Sequence, residues 1–456
     1  MHTVLIANRG EIALRVLRTC REMGLRTVAV YSTADEGSAV VREADEAVRI
    51  GPGPARRSYN HIPAVIEAAR MTGADAVHPG YGFLSENPDF AEVCAAEGIT
   101  FVGPPPAVME RLGDKASARA AMVAAGLPLL PGSTDAIDDP AAARALADSI
   151  GYPVIIKAVA GGGGRGMAVV REPEAFVDVH RRTRAGAAAV FGDGRVYVER
   201  YLDSARHVEI QVLCDAHGHG VHLGARDCSV QRRHQKLVEE TPAPGLPLDV
   251  QHAIGEEAVR AVLSVGYVGA GTVEMLVDAD GAHFFMEVNC RLQVEHPVTE
   301  MVTGIDLVAE QLRVAMGEPL RFGQSDVRFD GVAVECRINA EDPAKDFAPT
   351  PGLLESVELP GGPFVRVDTH VAAGRRIPPE YDSLLAKVIT WGADRDAALR
   401  RMDRALAETQ VEGERIATTA PFLRGVLAEP DFRAGRHDTG LLARMKDRAT
   451  LGGVTA

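Results

Sequence analysis

MEVNCRLQVE, residues 286–295, sets Glu287, Asn289, Arg291, Gln293 and Glu295 in unbroken alternation with Met286, Val288, Cys290, Leu292 and Val294. Successive side chains of an extended chain point to opposite faces, so the pattern predicts a strand with one apolar and one polar face. The polar face carries carboxylates, amides and a guanidinium. These supply oxygen ligands suited to a hard divalent cation, a clamp for an anion and a candidate base. A half-buried edge strand would alternate in the same way, so the stretch gains meaning from its neighbours. Upstream, GTVEMLVD (271–278), a DADG turn (278–281) and HFFMEVN (283–289) predict a hairpin that brings Glu274 opposite Glu287. With the Asn289 oxygen, this pair makes a candidate Mg²⁺ or Mn²⁺ site.

Two further stretches bear on the same chemistry. VIIKAVAGGGGRGM (154–167) puts Lys157 near the end of an apolar run, just before Gly161, Gly162, Gly163, Gly164, Arg165 and Gly166. Glycines let successive N–H groups approach anionic oxygens and a lysine neutralises them, so the loop can wrap a polyphosphate. It is not the P-loop pattern GxxxxGK[ST]. A surface hairpin is the other interpretation of such a loop. RDCSVQRRHQKLVEE (226–240) gathers Arg226, Gln231, Arg232, Arg233, His234 and Lys236 into a basic cluster, and VYVERYL (196–202) ends a strand with a carboxylate at Glu199. A solvated basic loop would carry similar charge.

The whole chain has 456 residues and a net charge of -14, which argues against nucleic acid or an anionic membrane surface as its main partner. An anionic substrate must therefore find a local basic pocket. Apolar residues at 46% and charged residues at 25% are ordinary for a globular protein. Cys20, Cys94, Cys214, Cys228, Cys290 and Cys336 are scattered, without CxxC pairs or zinc-finger spacing, which predicts reduced thiols and a cytoplasmic setting. The first ten residues lack the basic start and apolar stretch of a signal peptide, and no run is long enough to span a membrane. Lysine occurs only at positions 115, 157, 236, 345, 387 and 446, and the first three fall inside candidate motifs. An ammonium is a compact point charge that the planar fork of arginine does not replace at a crowded phosphate site.

The alternation of short apolar runs with helical stretches such as Glu11 to Met23 and Ile62 to Thr72 predicts a βαβα unit with a parallel sheet over residues 1–112. Its first turn, NRGEIA, has one glycine where the dinucleotide fingerprint wants three, which argues against NAD. Strands dominate from residue 113 to 325, and a smaller mixed α+β segment follows over 326–446, with a polar tail at 447–456. The expected architecture is thus α/β and α+β: a Rossmann-like parallel-sheet domain, a strand-rich central domain and a small C-terminal domain.

Beyond these patterns the chain resembles the ATP-grasp superfamily and, within it, the biotin carboxylases. IANRGEIALRV (6–16), HPGYGFLSEN (78–87), GDKASAR (113–119), IIKAVAGGGGRGM (155–167), RHVEIQV (206–212), DCSVQRRHQK (227–236), NCRLQVEHPVTEMVTGIDLV (289–308), ECRINAED (335–342) and YDSLLAK (381–387) match in order. The resemblance implies that ATP lies among Lys115, Lys157, the 161–166 glycines, Met167, Glu199, Leu202, His207, Gln231, His234 and Leu276. Lys236 would reach toward the reacting phosphate, and Glu274, Glu287 and Asn289 would hold two Mg²⁺ or Mn²⁺ ions. Arg291, Gln293 and the Val294 backbone would clamp bicarbonate, and Glu295 would remove its proton. Arg337 would stabilise the biotin enolate, and Tyr81 would sit near biotin. A lid over about 130–203 would close on the intermediate.

The expected partners are a biotin carboxyl carrier protein on another chain, since Met445-Lys446-Asp447 is the nearest string to an Ala-Met-Lys-Met acceptor, a carboxyltransferase and a second copy in a homodimer. Cys290, Arg200, Ala168, Asn60 and His61 depart from the usual family residues without removing a catalytic group. Two rivals remain: an ATP-grasp ligase for a different carboxylate, which would need a different clamp, and an idle scaffold protein, which loss of Glu295, Lys236 or Arg337 would favour.

Overall fold

The computed structural model describes residues 1–133, 135–160 and 166–452. The N-terminal apolar runs form a parallel five-stranded sheet in the order Glu46–Gly51, Arg26–Ser32, Thr3–Ile6, Ala76–His78, Thr100–Phe101. The expected βαβα unit is therefore present. Its first helix, Gly10–Glu22, buries Ile12, Ala13, Val16 and Leu17 against this sheet while placing Glu11 in the interior. The helix Ile62–Thr72 begins with Pro63 in its first turn and stops at Gly73, whose φ of 63° a side chain would oppose.

Two helices, Pro106–Gly113 and Lys115–Ala124, meet at Asp114. The Asp114 carboxylate accepts the Ser117 N–H at 2.8 Å, so the side chain caps the second helix and stabilises the break. Strands Met167–Val170, Val154–Ala158 and Val196–Arg200 then form an antiparallel three-stranded sheet. With the helices Pro140–Ile150 and Phe176–Phe191 it closes a small core of its own around Ala143, Ile156, Phe176 and Val198.

The largest sheet has eight antiparallel strands, in the order His283–Asn289, Gly269–Val277, Arg206–Cys214, Gly220–Arg232, Gln235–Thr241, Val332–Asn339, Leu384–Gly392, Val365–Thr369. It runs straight across the boundary expected at 325/326, because Val238, Glu239, Glu240 and Thr241 pair with Cys336, Glu335, Val334 and Ala333. The helix Leu441–Gly452 carries through position 447. All six cysteines are buried and free. Among the described residues no helix is long and apolar enough to cross a membrane.

The predicted strand over 286–295 is half right. Pairing of Glu274 with Glu287 is as expected, but the strand ends at Asn289. Beyond it the Cys290 N–H donates to a Glu86 carboxylate oxygen at 2.9 Å instead of continuing a ladder. Pro297 then starts the helix His296–Thr303, with Glu295 at its entry. The apolar half of the pattern still reports burial, since Val288, Cys290 and Leu292 are 7%, 4% and 0% exposed.

Candidate functional site

The site grows from the period of the strand Arg206–Cys214. Val208, Ile210 and Val212 enter the core, so His207, Glu209 and Gln211 share the opposite face. Neighbouring strands add to that face by register: Glu274 lies beside Glu209, Arg226 beside Glu209 on the other side, and Lys236 beside Gln231. Glu295 reaches the same place from the entry of its helix, and Arg337 from the strand Val332–Asn339.

Lys236 is the hub. Its Nζ donates to Glu209 Oε2 at 2.6 Å, Glu295 Oε1 at 2.7 Å and Glu274 Oε1 at 2.9 Å. Glu295 Oε2 accepts from Arg337 Nη2 at 2.9 Å, and Arg337 Nε donates to Glu239 at 2.6 Å. Arg226, fully buried, donates to Glu209 at 2.6 Å, Gln211 at 2.7 Å and Thr299 at 2.9 Å. Cations and carboxylates thus alternate from Arg226 to Glu239, and each buried charge has partners of opposite sign.

This alternation sets protonation. Burial alone would push the Glu295 carboxyl up, but Lys236, Arg337 and Arg226 outweigh it and hold the group well below the ordinary carboxylate range. Burial raises Glu274 as well, and Lys236 and His207 together bring it below its ordinary value. Lys236 is depressed by burial and raised further by Glu209, Glu274 and Glu295, so it stays an ammonium. Glu295 is consequently an ionised carboxylate shut off from solvent.

The donor set for a divalent cation is oxygen-rich. Glu287 is raised by burial and by the like charge of Glu274, with Lys115 offsetting only part of this. A cation between the two carboxylates relieves that repulsion, so Glu274, Glu287 and the adjacent Asn289 fit a hard metal ion. Asn289 Nδ2 donates to Glu274 at 2.9 Å, and Asn289 Oδ1 accepts from Arg291 at 3.0 Å. His207, Glu209 and Glu274 also converge, yet there the Lys236 ammonium already meets the negative charge.

Arg291 and Gln293, the pair expected to clamp an anion, lie side by side. Arg291 Nη1 donates to Gln293 Oε1 at 2.7 Å, and Gln293 Nε2 donates to Glu274 at 3.3 Å. Arg291 Nε is anchored on Glu86 at 2.8 Å, a contact from the HPGYGFLSEN motif that sequence reasoning missed. The Val294 carbonyl accepts from Lys387 at 2.9 Å. Tyr81 lies within the electrostatic reach of Arg337, and its hydroxyl donates to Glu11 in a short bond.

A second charged centre lies on the three-stranded sheet. Lys157 donates to Glu199 at 2.6 Å, and Arg119 pairs with the other Glu199 oxygen. Met167 and Tyr197 flank Lys157 across the strands. Lys115 lies close enough to Glu287, Lys157 and Glu199 for all three to act on its charge, which links this centre to the candidate metal ligands. Gly161 to Gly164 lie outside the described residues. Gly166 is described, with φ of 75°, and a Cβ there would stand 2.9 Å from Ala158 Cβ and 3.0 Å from Phe191, so only glycine fits. Leu276 is registered against His207, and Gln231 Nε2 lies 3.4 Å from His207 Nδ1. His234 occupies the following hairpin turn with φ of 68°, and Leu202 follows the strand Val196–Arg200.

Glu209, Glu239, Arg119, Glu86, Glu11 and Lys387 are the site residues that sequence reasoning missed. RHVEIQV carried a signal, since Glu209 alternates with apolar residues on the same face as His207. Arg226 stood out only as one member of a basic cluster and Lys387 is a single charge in an apolar run, so only the long-range pairing shows their partners.

Comparison with known proteins agrees with this geometry. The chain matches the family models described as biotin carboxylase N-terminal domain over residues 1–109, carbamoyl-phosphate synthase L chain ATP-binding domain over 114–322, and biotin carboxylase C-terminal domain over 335–444. It is 54% identical over 436 residues to the biotin carboxylase of Pseudomonas aeruginosa, covering 95% of this chain and 96% of that one. It is 49% identical over 436 residues to a pyruvate carboxylase component of Methanothermobacter thermautotrophicus, covering 96% and 88%. Among solved structures, the biotin carboxylase domain dimer of Hydrogenobacter thermophilus 2-oxoglutarate carboxylase, in complex with MgADP, ADP and bicarbonate, superposes with a TM-score of 0.93 at 45% identity, covering 97% of each chain. Three consecutive family matches and a relative more than half identical along nearly the whole length leave one assignment: this chain belongs to the biotin carboxylase family, with the ATP-grasp fold, and is an ATP-consuming ligase.

Proposed function

We propose that this chain carboxylates biotin carried on a separate biotin carboxyl carrier protein, as the biotin carboxylase subunit of an acetyl-CoA or other acyl-CoA carboxylase. The observation that carries the proposal is the ionised Glu295 carboxylate, fixed between Lys236 and Arg337 beside the Arg291–Gln293 clamp.

Glu295 takes the proton of bicarbonate held by Arg291, Gln293 and the Val294 backbone. The resulting carbonate oxygen attacks the γ-phosphorus of ATP, a P–O bond forms as the bond to ADP breaks, and carboxyphosphate results. Lys236 follows the charge on the transferring phosphoryl group. Glu274, Glu287 and Asn289 would hold Mg²⁺ or Mn²⁺, which supplies charge neutralisation at the phosphates. Carboxyphosphate then splits into CO₂ and phosphate, and the phosphate takes the ureido proton of biotin. Arg337 stabilises the enolate that attacks CO₂, and Tyr81 borders biotin. Lys115, Lys157, the 161–166 glycines, Met167, Glu199, Leu202, His207, Gln231, His234 and Leu276 surround the nucleotide. Closure of the 130–203 segment keeps water from the labile intermediate.

The enzyme works in the cytoplasm as a homodimer and hands carboxybiotin to a carboxyltransferase. The similarity to a component of a pyruvate carboxylase supports a second reading, in which the final acceptor is pyruvate or another oxoacid. The test is ADP release by the purified protein with Mg²⁺ and bicarbonate, with and without concentrated free biotin. Stimulation by biotin is the expected result. Release that depends on bicarbonate but ignores both biotin and the carrier would overturn the proposal in favour of another ligase. Reconstitution with carrier and transferase, scored for malonyl-CoA-type or oxaloacetate-type product, separates the two acceptors.

A further inference from the structure

Lys387 is fully buried on the strand Leu384–Gly392, directly across from Arg337 on one side and Asp368 on the other. Burying an ammonium is costly unless all its donors are used. Its Nζ donates to the Val294 carbonyl at 2.9 Å and pairs with Glu11 Oε1 at 3.0 Å, with Asp368 Oδ2 at 3.8 Å. These three partners come from separate parts of the chain: the bicarbonate clamp, the first helix and a C-terminal strand.

A buried ion pair alone is a weak reason for a lysine, since apolar packing of similar volume often serves as well. What the ammonium adds is direction. The carbonyl it holds belongs to the Val294–Glu295 peptide, so this bond fixes the plane from which the Glu295 side chain departs into its helix entry. Glu11, the other strong partner, accepts the Tyr81 hydroxyl. A single buried charge therefore ties the backbone of Glu295 to the side chain of Tyr81.

We propose that Lys387 is a positioning residue: it holds the Val294–Glu295 peptide so that Glu295 faces bicarbonate, and through Glu11 it sets Tyr81 at the biotin side. This rests on the assignment of Glu295 as base and Arg291 with Gln293 as clamp. Displacement of a reacting group by about 1 Å costs about 100-fold in rate, which sets the scale of the effect.

The test uses Lys387→Met in the full chain, with steady-state kinetics in bicarbonate, ATP and free biotin, beside Glu295→Gln. The expected result is a fall of about 10- to 100-fold in kcat/KM for bicarbonate, a smaller fall for biotin, and a KM for ATP within about twofold of wild type. A general structural role would move all three together. Because Lys387→Met leaves Glu11 facing a lost partner, the double variant Glu11→Gln with Lys387→Met removes both charges and still removes the bond to Val294. The same bicarbonate-selective defect is expected in it. A folded variant of either kind with kcat/KM for bicarbonate within about twofold of wild type overturns the proposal, as does a rise in KM for ATP as large as the fall in kcat/KM for bicarbonate. Full bicarbonate-dependent turnover in Glu295→Gln would instead overturn the base assignment, whatever Lys387→Met does.

Discussion

Two buried lysine–glutamate centres sit on two different sheets, and their charge ratios are opposite. On the three-stranded sheet, two cations, Lys157 and Arg119, share the single carboxylate of Glu199. On the eight-stranded sheet, three carboxylates, Glu209, Glu274 and Glu295, meet at the ammonium of Lys236, and with Glu239 they outnumber the three cations Lys236, Arg226 and Arg337. An excess of positive charge suits a polyphosphate, whereas an excess of carboxylate suits metal ions and a base. The scaffolds differ too. The first centre rests on a small core around Ile156 and Phe176, and the second on a sheet backed by the Val208–Ile210–Val212 core, whose strands continue into the C-terminal segment. Under the proposed function, the chemistry that needs fixed geometry would lie on the wide sheet and the nucleotide contacts would be divided between the two.

The sharpest way to break this division is Glu295→Gln. It removes a charge from the carboxylate-rich centre and leaves the other untouched. Bicarbonate-dependent turnover should fall by about 100- to 10,000-fold while equilibrium binding of ATP changes by less than about twofold. Comparable loss of ATP binding would mean that the centres are not separate.

Lys236→Met tests the hub. Removing it leaves three buried carboxylates without their shared partner and should destabilise the protein by about 3–5 kcal/mol at neutral pH. Because Glu295 and Glu274 are held below their ordinary range, their contribution is present above the unfolded carboxylate values and lost as pH falls through the folded ones. Without Lys236 the same carboxyls move upward and take protons earlier. Urea denaturation should therefore show the widest gap between wild type and variant near pH 7, narrowing below about pH 5. A gap that widens on acidification would contradict the assignment of Lys236 as the charge that holds them ionised.

Glu287→Gln removes one carboxylate of the pair in register with Glu274. The Mg²⁺ concentration for half-maximal turnover should rise by at least about tenfold. The smallest effect belongs to the other sheet. Lys157→Met should raise KM for ATP by about tenfold, the value of one charged hydrogen bond, with kcat little changed. A kcat loss as large as that of Glu295→Gln would erase the contrast between the centres.

Much of this was legible from residue order. The parallel N-terminal sheet followed from its apolar runs, and the Glu274–Glu287 pairing from two strands around a DADG turn. Local pattern failed where tertiary contacts overrode it. Alternation through Glu295 looked like one strand, but Glu86, distant in sequence, takes the Cys290 N–H and ends the ladder. Glu209 lay in plain alternation within RHVEIQV, yet its importance comes from Lys236 and Arg226 on other strands. Lys387 carries no local signal, because its partners Glu11 and Val294 are joined to it only by the fold.

The most direct test of the carboxylate-rich centre follows the carbon. With carbon-labelled bicarbonate, Mg²⁺, ATP and free biotin, the wild-type protein should transfer label to biotin, and Glu295→Gln should not, although it still binds ATP. Formation of ADP by the wild-type protein with all label left in bicarbonate, or equal labelling of biotin by Glu295→Gln, would contradict the account.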